Sequence, residues 1–95
     1  TINGLAQIDL KQGNYAAAAA GFEQAIALAP KAAVYYWNLA LAYEGLQRCS
    51  DADRSWRRYL MWSPATDRDR QFVIDRLTAP YHQQIPGCSA GHGEG

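Results

Sequence analysis

The sequence predicts an all-α fold of antiparallel helical hairpins stacked side by side, and three observations predict it. The 95 residues resemble themselves at a shift of 34 positions. Within each repeat, apolar residues recur at spacings of three and four, the period of a helix face. Glycine, asparagine and proline punctuate those runs at matching places. At this shift Pro30 falls on Pro64, Leu5 on Leu39, Ala6 on Ala40 and Ala18 on Ala52, while Phe22 falls on Trp56, Ile26 on Leu60 and Ile2 on Tyr36. Large residues match large, small match small, and proline matches proline.

The elements follow in order. In the first unit, residues 1–30, a helix carrying Ile2, Leu5, Ala6 and Asp9 ends near Gly13. Asn14 is placed to cap the next helix. That helix presents Ala18, Phe22, Ala25 and Ile26 on one face and stops before Pro30, which disfavours helix at the residue ahead of it. In the second unit, residues 31–64, Tyr36, Leu39, Ala40 and Tyr43 make the first helix. Ser50 with Asp53 reads as a capping box, and Trp56, Tyr59 and Leu60 follow before Pro64. Alanines at 6, 18, 40 and 52 let helices approach closely, and Phe22 and Trp56 fill the space between hairpins. Residues 65–79 predict a closing helix, with Thr66 and Asp69 as a second capping box and Phe72, Val73, Ile74 and Leu77 as its apolar side. Residues 80–95 lose the helical period, gather glycine and read as a flexible tail.

The totals narrow the function. Nine basic and nine acidic side chains balance, and the pI is near 6.6. No basic excess points to nucleic acid or an acidic membrane surface. No run of about 18 apolar residues would cross a bilayer. The chain starts with Thr1, inside a helical pattern, so it reads as a piece of a longer protein.

Lys11-Gln12-Gly13-Asn14-Tyr15, followed by Ala18, Phe22, Ala25 and Pro30, resembles a tetratricopeptide repeat. So does Trp37-Asn38-Leu39-Ala40, followed by Tyr43, Ala52, Trp56 and Pro64. The resemblance covers Thr1 to about Pro64 and extends more weakly into the next helix, as in the C-terminal part of an array. Three residues depart from the pattern: Cys49 replaces the aromatic seen at Tyr15, Gln47 the turn glycine, and Tyr59 a small alanine. The resemblance implies a short α-solenoid, two repeats plus a capping helix. It implies a scaffold for protein–protein interaction; the chain reads as a module of a larger, bacterial protein, with no cofactor and no enzyme activity expected. In that family the first helix of each hairpin lines a concave groove. The corresponding residues here are Gln7, Leu10, Val34, Trp37, Asn38, Leu41 and Glu44, with Arg68 and Phe72 of the closing helix as the far wall. Trp37 stands beside Tyr36, which takes the core position, so Trp37 is the expected interface anchor for a peptide segment of a partner.

No Ser-His-Asp set, phosphate-binding glycine loop or helical His pair is present. Two readings of the cysteines stay open. Cys49 and Cys88 form a disulfide that staples the tail, closing a loop of about 40 residues, and the chain then belongs to an oxidising compartment such as a bacterial periplasm. Alternatively they are free thiols of a cytoplasmic protein. His82, Cys88 and His92 with Cys49 are residue types that zinc prefers, but their spacing fits no standard finger, and no metal is predicted. Two further roles compete with the scaffold: a terminal piece of a longer solenoid that self-associates through the edge near Ile2 and Leu5, and a redox or metal role for the tail.

Overall fold

The structure, a computed structural model, describes residues 2–78. All regular structure among the described residues is helical: α1 (Ile2–Lys11), α2 (Tyr15–Leu28), α3 (Ala33–Gly45), α4 (Cys49–Trp62) and α5 (Asp69–Thr78). The expected tail, residues 80–95, lies outside the described residues. Each helix packs chiefly on its neighbours in the chain, α1 on α2, α2 on α3 and α3 on α4, while α5 rests on α4 over a smaller area.

The core is one cluster whose members recur at the repeat distance. Ala6 and Ala40, Ala18 and Ala52, and Phe22 and Trp56 are all buried. Trp56, Phe22 and Val73 are the largest side chains fully out of water. Burying each stabilises the fold by roughly 1.5–3 kcal/mol against leaving it exposed. The match fails at the edge of α1. Leu39 is 6% exposed but its counterpart Leu5 is 66% exposed. Ala42 is buried while its counterpart Ile8 is exposed. Helix α3 has α2 on one side and α4 on the other, whereas among the described residues α1 has no helix beyond it.

The turns after α1 and α3 are the same device. The Asn14 N–H donates to Asp9 O at 2.8 Å, and 34 residues on the Arg48 N–H donates to Tyr43 O at 2.9 Å. These six-to-one bonds close a Schellman turn, whose penultimate residue takes the left-handed conformation. Gly13 holds it at φ +82° and Gln47 at φ +60°. A side chain there costs roughly 1–2 kcal/mol, which glycine avoids. The Gln47→Gly chain is therefore expected to be more stable by about 0.5–1 kcal/mol, net of glycine's greater freedom when unfolded. A urea midpoint that rises with an unchanged slope is the check.

A second feature of these turns is a close approach. A Cβ built on Gly45, the last residue of α3, would stand 2.5 Å from ring carbons of Tyr15. The bare backbone of Gly45 is what lets the first residue of α2 lay its ring across the end of α3.

The helix starts differ from those expected. Asn14 occupies the cap position of α2, and its C=O accepts the Ala18 N–H at 2.9 Å, but its side chain makes no cap bond. Instead its carboxamide donates to Asp9 Oδ1 and Gln12 Oε1. Helix α4 begins at Cys49 with Arg48 as its cap, so Ser50 falls inside the first turn and no Ser50–Asp53 box forms. Ahead of α5 the side chain that serves the helix start is that of Asp67 and not Thr66: its Oδ1 accepts the Asp69 N–H at 2.9 Å. The helix starts at Asp69, inside the expected span of residues 65–79.

Candidate functional site

One concavity lies where α3, the end of α4 and the start of α5 meet. It is a cavity of about 310 Å³ lined by Ala33, Val34, Trp37, Asn38, Tyr59, Asp67 and Asp69. One wall is aromatic. Trp37 is half-buried, with its ring edge-on to Trp56 at 4.9 Å and to Tyr59 at 5.2 Å, and tilted against Phe72 of α5 at 5.4 Å. Trp56 anchors this cluster from below: its indole N–H donates to the Glu44 carboxylate at 2.8 Å, inside the core. A buried aromatic N–H needs such a partner.

Tyr59 joins the wall to the acidic rim. Its hydroxyl donates to Asp67 Oδ2 at 2.6 Å. That bond and the Asp69 N–H hold the Asp67 carboxyl below its usual range, so it is anionic at neutral pH. Burial first, and then the bond to Asp67, push the Tyr59 hydroxyl well above the usual value for tyrosine. Arg70 does not neutralise the rim by contact. Its guanidinium donates to Leu60 O, Ser63 O and Ser63 Oγ, where it closes the C-terminal end of α4 and fastens α5 to it.

At Asn38 the accounting of polar groups fails. The residue is 8% exposed, and its Nδ2 has neither a partner nor contact with solvent. A buried donor left unpaired costs about 1–3 kcal/mol.

The residues expected to line a groove divide into four groups. Val34, Trp37 and Asn38 line the cavity, and Phe72, 48% exposed, stands beside Trp37. Leu10 and Leu41 are half-buried and pack on the core. Gln7 and Arg68 are exposed and outside the cavity lining. Glu44 is corrected: it does not extend a surface but is buried, because its carboxylate is the partner of Trp56. Tyr59, Asp67 and Asp69 were missing from the expected set. Two aspartates just after the Pro64 turn were the signal that could have found them.

A second concavity, of about 220 Å³, lies between α2, α3 and α4 and is lined in part by Glu23, Tyr43, Asp51 and Arg54. Its groups are largely engaged with one another. The Tyr43 hydroxyl donates to Glu23, and Asp51 pairs with both Arg48 and Arg54. Burial, and then the bond to Glu23, push the Tyr43 hydroxyl up to about 12 from 10. The unfolded chain releases this proton first, so the bond's contribution is complete below pH 10 and is lost as pH rises toward 12. A thermal midpoint falling through that window is expected, with a shallower fall in Tyr43→Phe.

Cys49 is half-buried at the start of α4 and is disulfide-bonded rather than a free thiol. Cys88, and with it the expected Cys49–Cys88 staple and the His82 and His92 positions, lies outside the described residues. Among the described residues no cluster of His, Cys, Asp or Glu is arranged to hold a metal, and no helix is long and apolar enough to cross a membrane. Comparison of the chain with protein-family models, with curated proteins and with solved structures gives no match.

Proposed function

We propose that this chain is a binding module that takes a peptide segment of a partner protein on the face formed by α3 and α5. The observation that carries the reading is the Trp37 cavity. It has an aromatic wall, exposed Val34 and Phe72 at its margin, and a buried amide donor at Asn38 with no internal partner. Few polar groups converging in a largely apolar concavity are what a recognition site needs. The 34-residue recurrence of burial and of the two Schellman turns supports a tetratricopeptide-like α-solenoid as the frame. In that frame α1, α3 and α5 are the helices facing the partner.

Selection of a random-peptide display library against the chain is the test, with Val34→Asp and Phe72→Asp as comparisons. Both side chains are exposed, so the fold is expected to survive either change. Selected peptides that lose binding to both variants support the reading. Peptides that bind all three chains alike place recognition elsewhere.

The bare edge of α1 favours a second reading. Leu5 and Ile8 are exposed where their counterparts are covered, which suits self-association or stacking on another helical unit. Sedimentation of Leu5→Glu beside the parent chain separates the two readings. A dimer lost on that change supports the second, and a monomer throughout removes self-association.

A further inference from the structure

We propose that the segment bound in the Trp37 cavity carries a basic residue, a lysine or arginine, whose cationic end lies between Asp67 and Asp69 while its own peptide carbonyl accepts from Asn38. This deepens the binding reading above and rests on it.

Three independent features of one cavity converge on this chemistry. The first is charge. Among the described residues Asp67 and Asp69 are its only charged lining residues, both acidic, and the bonds to Asp67 keep that carboxyl ionised. The second is the wall. A lysine or arginine stem is apolar along most of its length and lies well on Ala33, Val34 and the rings of Trp37 and Tyr59, with its head favourable over an aromatic face. The third is Asn38. An amide donor more than nine-tenths buried, lining the cavity and without a partner, is left for an acceptor that arrives with the ligand. Because Nδ2 is out of contact with solvent, the carboxamide must turn toward the cavity to meet that acceptor, and its terminal torsion is broad.

A free polyamine satisfies the first two features but brings no acceptor for Asn38. A peptide satisfies all three. The acidic rim also excludes a terminal carboxylate as the bound group, since two like charges would face it across a partly buried site. The cavity, at about 310 Å³, accommodates one side chain with its peptide unit and not a helix.

The experiment begins with the same peptide selection on the intact chain. Lysine or arginine is expected at one fixed position of the selected peptides. Norleucine at that position, and Asp69→Asn in the protein, are each expected to weaken binding by about three- to tenfold at low salt, with the difference fading at high salt. Asn38→Leu is expected to weaken every selected peptide while leaving the thermal midpoint unchanged or higher, because the orphan donor is gone. A purely structural asparagine would lower that midpoint instead.

Selected peptides without a basic position would overturn this proposal and leave the binding reading standing. Selection of no peptide at all would remove both. A basic preference that survives Asp67→Asn and Asp69→Asn together would place the charge recognition elsewhere and overturn it. Spermidine quenching tryptophan fluorescence as effectively as the peptide would also overturn it, since a free amine would then suffice.

Discussion

Trp56→Ala is expected to destabilise the chain by about 3–5 kcal/mol, the range for removing a fully buried aromatic side chain. Trp56 has no exposure and stands where α3, α4 and the Trp37 cluster meet. Its loss empties the centre of the core and removes the support of the cavity wall together. Small domains commonly hold only about 5–10 kcal/mol in all, so the variant should be partly unfolded at room temperature. Trp56→Phe removes less. A six-membered ring remains, but the five-membered ring and its donor to Glu44 are gone, and a smaller loss of about 1–3 kcal/mol is expected. Far-ultraviolet circular dichroism during urea titration measures both. Equal losses in the two variants would show that the five-membered ring with its bond to Glu44 dominates, and not the six-membered ring that phenylalanine keeps.

The second large effect is at Gly45. Alanine normally favours a helix over glycine. Here the sign reverses, because the new Cβ meets the Tyr15 ring at 2.5 Å, including the ring atom nearest its own backbone. Moving a ring tip aside would not relieve that contact; the whole side chain must swing out and give up its packing on α3. Gly45→Ala is expected to cost about 1–3 kcal/mol, as over-packing does. The decisive measurement is the double variant. In a Tyr15→Ala background the same change should be neutral or mildly stabilising. A Gly45→Ala cost that persists there would mean the obstacle is not Tyr15.

How far the sequence was legible can be judged from particular residues. The helices and core were readable because burial follows periodicity: Ala18, Phe22, Ala40 and Trp56 sit where their spacing puts them. The turns were readable through Gly13, and Gln47 at the matching place marked the strained counterpart. The helix starts were less legible. Several Ser, Thr, Asp and Asn residues crowd each boundary, and only the backbone path chooses among them, as it chooses Asp67 over Thr66. Glu44 misled for a related reason. A carboxylate in a helix reads as surface until an indole N–H, twelve residues on, is found to be its partner. The site was half legible. Val34, Trp37 and Asn38 follow from helical geometry, but Tyr59 and Asp67 depend on how α5 returns to α4, which no local pattern encodes.

The neighbour-to-neighbour packing of these helices has a consequence for how the chain comes apart. Almost every interhelical contact joins elements adjacent in sequence, so few distant segments must find one another during folding. Folding should be fast, and opening can begin at an end without breaking the middle. Helix α5, held by Val73, the Asp67 bond and the Arg70 clasp, is the first candidate to detach. Its amide hydrogens should exchange with solvent well ahead of those in α3, which is enclosed on both sides. Each detachment would uncover Trp37 and dismantle the acidic rim at once, so the lifetime of the last helix sets how long the cavity exists whole.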